Sequence, residues 1–375
     1  MGININIEKN PLLSSLVTLQ NVTGKKGTIA ILSNVLLETG NNCVTFTGTD
    51  LEVGIRITIP AEVRSAGTIT LPSRKFLEIV RESTSQTIHL EEKENHWIKI
   101  DEGSSHYNLA GMDSKEFPDF PEYDEERVTE IPGELVVDLI EKTIFSVANE
   151  GESQFNLTGA LLECEERNGI NFLRMVSSDG HRLSLMEREL PKEINLAINK
   201  KTLIPKKGLS EIKKIAESAD TVSLSIEDKQ AVVKTEDAIL IIRLLNGDFP
   251  DYQGIIGIIE ENNVINVDRI RLMNSMKRMN LFTEDRFNVV NIKVDNGKMT
   301  LFSQSADIGN ARDEISITYT GDELSLYFNG KYFIETLQVL SADKVNLYIS
   351  SEKSPCFIKS NDDAGFVSVI MPMKI

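Results

Sequence analysis

The stretch NGDFPDYQGI, Asn246 to Ile255, shares Phe-Pro-Asp with KEFPDFPEY, Lys115 to Tyr123, and each copy follows an apolar run. Phe117 and Phe249 are 249 − 117 = 132 residues apart. A tripeptide that returns at module length predicts a structural unit used more than once, provided that other segments return in the same order. They do. LPSRKFLEIV (Leu71 to Val80) places Pro72 and the pair Arg74-Lys75 before Phe76, Ile79 and Val80 at helical spacing. IPKKGLSEIKKIAES (Ile204 to Ser218) places Pro205 and Lys206-Lys207 before Leu209, Ile212, Ile215 and Ala216. GKYFIETLQVLS (Gly330 to Ser341) places Lys331 before Phe333, Ile334, Leu337 and Leu340. A strand-like run follows each one: TIHLEE, TVSLSI and KVNLYIS.

A second recurrent helix opens each third: NPLLSSLVTLQNV from Asn10, GELVVDLIEKTIFSVANE from Gly133 and VDRIRLMNSMKRMNLFTE from Val267. Alternating strands with turn residues follow each. The order helix, strands, helix, strands therefore occurs three times. It predicts an α+β chain of three tandem domains, 1–124, 125–255 and 256–375. Each has two helices packed on antiparallel sheets of about eight strands. Phe-Pro-Asp marks the seam between modules. Two helices cannot cover both faces of such sheets, so the outer side of each helix faces solvent or a ligand.

The 375 residues carry a formal charge of −17. That excludes a generally basic nucleic-acid binder, but not a local basic lining. The opening helix of the last third places Ile270, Met273 and Met276 near one side and Arg271, Asn274 and Arg278, with Lys277, on another. Lys206, Lys207, Lys213 and Lys214 lie away from the apolar face of their helix, and Lys25 and Lys26 follow the first helix. Such lysines and arginines offer a positive track to phosphates without base reading. Glu78, Glu141, Glu211 and Glu335 on the same helices interrupt it. The three cysteines, Cys43, Cys164 and Cys356, are far apart and lack CxxC spacing, so they read as reduced thiols in a cytoplasmic protein. Neither a signal peptide nor a membrane-length apolar run is visible, and position 6 is Asn6 where myristoylation wants Ser or Thr. Asp179-Gly180-His181 reads as a turn and a pocket wall rather than a catalytic dyad. HExxH, GxSxG, Walker A and GxGxxG are all missing from the sequence, so neither catalysis nor a cofactor or metal is expected.

GTDLE (Gly48 to Glu52), PSRKF (Pro72 to Phe76), SDGHRL (Ser178 to Leu183), IPKKG (Ile204 to Gly208), GDFPDY (Gly247 to Tyr252) and VIMPMK (Val369 to Lys374) spread over nearly the whole chain. In this order they resemble the bacterial replication sliding clamps, the beta subunits of DNA polymerase III. The resemblance implies a head-to-tail homodimer whose six domains close a ring, with twelve helices lining a hole for duplex DNA. Lys26, Arg74, Lys75, Lys206 and Lys207 become candidate DNA-facing residues. Glu150 stands in a loop that the family places near DNA.

The resemblance also implies a pocket for short peptides of the polymerase III alpha subunit, the clamp loader delta subunit, other polymerases and repair factors. Its residues here are Leu157, Ser178, Gly180, His181, Arg182 and Leu183, with Pro250 and Ile255. Asn329, Tyr332, Val369, Met371, Pro372, Met373 and the terminal Lys374-Ile375 complete it. Flexible methionines suit varied ligands. Gly254 stands where many members carry a basic residue. At the dimer seam, Leu281 and Phe282 are expected against Tyr107 and Leu109. The rival expectation is a tandem-module peptide-binding scaffold that never encircles DNA.

Overall fold

The computed structural model describes residues 2–374 apart from 25–28, 152–156, 195, 197, 199–201, 261–263 and 284–286. Among the described residues there are seven α-helices: α1 (Lys9–Val22), α2 (Ser73–Glu82), α3 (Gly133–Glu141), α4 (Lys206–Ala216), α5 (Tyr252–Gly257), α6 (Arg269–Asn280) and α7 (Gly330–Gln338). All strand pairings are antiparallel. Six of the helices are the recurrent ones. The seventh, α5, is not legible as a helix, because YQGIIG has two glycines and no helical period. Tertiary context makes it: the Asp251 carboxylate caps it by accepting from the Gly254 N–H at 3.2 Å, and Tyr252 is buried.

The chain forms two compact units: residues 1–133 with 214–244, and 134–213 with 245–375. The first contains a five-stranded sheet and an eight-stranded sheet. In the larger one, Ala238–Arg243 pairs with Val53–Pro60, so strands from the first and central thirds form one continuous sheet. The second unit repeats the arrangement. Its eight-stranded sheet joins Arg182–Glu189 to Phe366–Ile370, and a four-stranded sheet stands beside it in the chain's order. Compactness thus follows the shared sheets and divides the central third. The sequence spans 1–124, 125–255 and 256–375 stay a proposal about the repeat, not about compact bodies.

The helices bury apolar faces close to those their spacing predicts, with corrections: on α2 Leu77 is buried and Ile79 only half-buried, on α7 Ile334 is half-buried beside buried Phe333, Leu337 and Leu340, and α6 buries a different row. On α1, Leu12, Leu16 and Leu19 are buried, and on α2, Phe76, Leu77 and Val80. On α4, Leu209, Ile212, Ile215 and Ala216 are buried. On α6 the buried face is Leu272, Ser275, Met276 and Met279, while Ile270 is 43% exposed. The rows Ile270-Met273 and Leu272-Met276-Met279 are both apolar, and only packing on strands chooses the second.

The helix from Gly133 is also shorter than expected. It stops at Glu141, and a 3-10 turn follows at Ile144–Ser146. The Thr143 hydroxyl donates to the Leu139 carbonyl at 2.6 Å, and its N–H bonds the Ile140 carbonyl three residues back rather than four. A β-branched residue whose hydroxyl takes the backbone acceptor ends the helix.

Candidate functional site

Three apolar residues of the expected pocket, Leu157, Leu183 and Val369, lie in one buried cluster with Phe249, Tyr252 and Leu185. Strand register places them there. Leu183 faces Val369 and Leu185 faces Val367 across one antiparallel pair, so alternate residues share a face. Ile256 and Ile259, in and after α5, pack on this cluster. The rim is different. Met371 is 44% exposed and Ile255 36%, and Pro250, Gly180 and His181 are exposed. The floor is therefore prebuilt, and the rim supplies apolar surface still open to a ligand.

The tail is positioned by backbone bonds. The Met371 N–H donates to the His181 carbonyl at 2.9 Å, and the Met373 N–H to the Tyr327 carbonyl at 2.7 Å. Pro372 and Met373 are half-buried, and Lys374 is exposed. The SDGHRL turn lies directly beside the tail. The Ser178 hydroxyl donates to the Arg182 carbonyl, and the Asp179 carboxylate accepts from the His181 and Arg182 N–H groups. Gly180 takes φ +89, a left-handed value suited to glycine.

Arg182 is a strut rather than a free recognition group. Its guanidinium donates to Asp179, Glu335 and the Phe145 carbonyl, and lies 4.4 Å over the Tyr332 ring. It thereby holds the turn to α7, which carries Tyr332. Asn329 caps α7 by accepting from the Lys331 N–H at 3.0 Å, so its side chain also serves the helix end.

Sequence reasoning misses the group that holds α5. Arg174 donates to Glu187, to Glu163 at 3.1 Å and to the Tyr252 hydroxyl at 2.8 Å, and that hydroxyl in turn donates to Glu163. Burial first, and then the Glu163 hydrogen bond, push the Tyr252 phenol above its ordinary value. A lone Arg on a strand without Glu, its carboxylate partners on the two neighbouring strands, gives no signal of this. Only the register and the Phe-Pro-Asp-Tyr segment bring the four together. Arg174→Ala is expected to cost about 1–3 kcal/mol by leaving the half-buried Glu163 and Glu187 carboxylates underpaired, and to weaken apolar-peptide binding by loosening α5. Urea unfolding and calorimetric titration check the two effects.

The basic residues have diverse surroundings. Arg74 and Lys75 both pair with Glu78, at 3.1 and 2.6 Å, leaving one net positive charge on this exposed corner of α2. Lys206 donates to the Val147 carbonyl and to Asn149, and so ties the loop that ends at the exposed Glu150. Lys207, its neighbour, is half-buried. On α6, Arg271 and Arg278 converge on Asp313, which Ser275 also contacts at 2.6 Å. Burial alone would raise the Asp313 carboxyl, but the Ser275 and Arg278 hydrogen bonds outweigh it and lower it to about 2. This fixed ion pair offsets much of the charge that Arg271 and Arg278 could present. Of the interrupting glutamates, Glu141 pairs with Lys213 and Glu335 with Arg182, and Glu211 is buried. Lys25, Lys26 and Ile375 lie outside the described residues.

Leu281 ends α6 with 70% of its surface exposed, and Phe287 and Ile308 are also exposed. Phe282 is half-buried, and Gly309 lies against its ring. Tyr107 and Leu109 sit on Ser105–Ala110, the outer strand of the five-stranded sheet, Tyr107 half-buried and Leu109 buried. Gly309–Ser316 is the outer strand of the four-stranded sheet. Among the described residues, no group of His, Cys, Asp and Glu is placed to hold a metal ion, and no helix is long and apolar enough to cross a membrane.

Shared antiparallel sheets thus build both compact units, and in the second an apolar cluster containing Val369 leads into the Met-Pro-Met tail. The patterns of the DNA polymerase III beta subunit match the chain in order: the N-terminal domain over residues 3–121, the central domain over 130–251 and the C-terminal domain over 259–374. The beta sliding clamp of Chlamydia pneumoniae is 29% identical over 369 residues, covering 98% of each chain. That of Bacillus subtilis is 28% identical over 380 residues, again covering 98% of each. Among solved structures, the sliding clamp of Bartonella birtlesii bound to griselimycin superposes with a TM-score of 0.93 at 25% identity, over all of both chains. The Bacillus subtilis clamp gives 0.90 at 26%, also over all of both chains. The chain belongs to the DNA polymerase III beta subunit family, the beta sliding clamps of DNA replication.

Proposed function

We propose that two copies of this chain pair head to tail into a closed ring that encircles duplex DNA in the cytoplasm and tethers a DNA polymerase for processive synthesis. The observation that carries this reading is the pair of unlike free sheet edges, Ser105–Ala110 and Gly309–Ser316. An open edge is a template for another chain. Unlike edges make a heterologous contact, which closes into a ring when the rotation permits. Tyr107 and Leu109 on one edge, with Leu281 and Phe282 near the other, supply apolar contact. Arg74, Lys75, Lys206 and Lys207, with Lys25 and Lys26, face the phosphates. Arg271 and Arg278 act there only so far as Asp313 releases them. Weak phosphate contact suits sliding, and topology supplies retention.

The second-unit cleft receives short peptides ending in Leu or Phe from the polymerase III alpha subunit, the clamp loader delta subunit, other polymerases and repair factors. Leu157, Leu183 and Val369 form its floor, and Met371, Met373 and Ile255 close on the ligand. Gly254, small and capped by Asp251, offers no basic group to a peptide carboxylate. The chain itself makes and breaks no bonds in this role; it holds partners at the DNA.

Nicked circular plasmid, loaded by a clamp loader and washed in high salt, is expected to retain the protein. Cutting the circle is expected to release it. Salt weakens phosphate contacts steeply, by roughly 1000-fold or more for several contacts, so retention at high salt reports topology. Equal loss from circular and linear DNA would sink the ring and leave a peptide-binding scaffold.

A further inference from the structure

The turn beside the Met-Pro-Met tail has a twin in the first unit. There the Thr49 hydroxyl donates to the Val53 carbonyl at 3.1 Å and accepts from the Leu51 N–H at 3.0 Å, as Ser178 does with Arg182 and Gly180. The Asp50 carboxylate accepts from the Glu52 and Val53 N–H groups at 3.0 and 2.8 Å, as Asp179 does from His181 and Arg182. The Arg243 N–H donates to the Glu52 carbonyl at 2.8 Å, where Met371 donates to His181 at 2.9 Å. Pro118 follows Phe117 as Pro250 follows Phe249. The backbone and side-chain bonds of the turn are thus built twice, while the Arg182 strut is not, since Val53 stands in its place.

The twin is not filled in. A cavity of about 270 Å³ lies between this turn, the Pro118–Pro121 segment and the strand that ends at Arg243. Leu51 stands at its mouth with 52% of its surface exposed and φ +76, where the other turn has glycine. A branched side chain held in the left-handed region and open to water is costly on both counts, and such costs concentrate at binding sites. The lining differs in a directed way. Gly54 stands in place of Leu183, and the Phe120 ring fills the space, 3.3 Å from where a Cβ would be. Arg56 stacks over that ring at 4.3 Å. Ile241 replaces Val369, and Arg243 replaces Met371 on the same strand face. Arg243 and Lys229 are exposed at the cavity, and neither has an ion pair among the described residues. Glu52 and Asp119 complete its charged rim.

We propose that this first-unit cavity is a second peptide site, selective for an apolar side chain followed by a carboxylate. The apolar group lies against Leu51, Phe120 and Ile241, and the carboxylate bonds the Arg243 guanidinium. Arg243 alternates with Ile241 on one strand face, so neighbouring ligand residues reach both. Glu52 and Asp119 repel a ligand that offers a second carboxylate and set the register. Only the ligand class is carried over from the proposed second-unit cleft.

The test uses the full-length protein labelled at isoleucine δ1 methyls, with Ile241 reporting the first-unit cavity and Ile255 the second-unit cleft. The probes are the blocked tripeptides acetyl-Leu-Phe-Asp-amide, acetyl-Leu-Phe-Asn-amide and acetyl-Leu-Phe-Lys-amide. The Asp peptide is expected to shift the Ile241 resonance, with the Asn peptide about fivefold weaker for want of a charge-assisted bond, and the Lys peptide weaker still. Arg243→Glu is expected to abolish the Ile241 shift and leave the Ile255 shift in place. Leu51→Gly, which removes the strained side chain, is expected to weaken binding while raising thermal stability. An unmoved Ile241 resonance, or equal affinity for all three probes, overturns the proposal. If Ile255 still moves in that case, the second-unit reading stands alone. If Ile241 moves and Ile255 does not, the first-unit site stands and the second-unit reading falls.

Discussion

Deleting Met371 to Ile375 lowers affinity for a Leu- or Phe-ended peptide at least about 100-fold, because two rim methionines and Pro372 leave one small cleft together. Complete burial of a Met side chain is worth about 1.5–3 kcal/mol, and each 1.4 kcal/mol is tenfold in affinity. The fold survives the deletion. The last strand of the sheet ends at Ile370, and its pairing with Arg182–Glu189 is intact without the tail. Two backbone bonds disappear, from Met371 to His181 and from Met373 to Tyr327, which costs about 1 kcal/mol each. Oligomer mass is expected to be unchanged, since the residues of the proposed seam, Tyr107, Leu109, Leu281 and Phe282, remain. Calorimetric peptide titration and analytical ultracentrifugation read the two outcomes. Undiminished peptide affinity in the truncated protein would remove the cleft assignment.

Asp363→Ala is expected to be the most destabilising of these single substitutions, costing about 3–5 kcal/mol. Asp363 has no exposed surface. Its carboxylate accepts from Lys142 at 2.8 Å, from the Ser341 hydroxyl at 2.8 Å and from the Ser341 and Ala342 N–H groups at 3.2 Å. Removing it leaves the Lys142 ammonium buried with Asp138, at 3.1 Å, as its one partner among the described residues. Burial by itself would raise the Asp363 carboxyl, but the Lys142 and Ser341 bonds win and lower it to about 2. A carboxyl depressed in the fold contributes stability that is present above its unfolded value and lost as pH falls through the folded one. The contribution of about 2 kcal/mol is therefore complete above about pH 4 and disappears towards pH 2. Urea midpoints of the wild type fall over that interval, and those of Asp363→Asn fall less. Parallel pH profiles for the two proteins would exclude this account.

Much of this was legible without coordinates. Six helices follow from apolar spacing and from Pro followed by a basic residue, because a face that must be buried repeats at the helical period whatever lies against it. The threefold order and the cleft-forming motifs are also one-dimensional. SDGHRL builds its own turn through bonds between Ser178, Asp179, Gly180 and Arg182, all within four residues.

What stayed hidden depends on distant segments. YQGIIG reads as irregular and becomes α5 because Tyr252 finds Arg174 and Glu163, far back in the chain. Two rows on α6 are both apolar, and packing buries Leu272 rather than Ile270. Arg271 and Arg278 look like free phosphate contacts until the strand carrying Asp313 reaches them. The repeat, the helices and the turn chemistry are local, so the order of residues determines them. The pairing of charges, the division into compact units through shared sheets and the open cavity under Leu51 arise from contacts between residues up to hundreds of positions apart. Only the folded chain decides these.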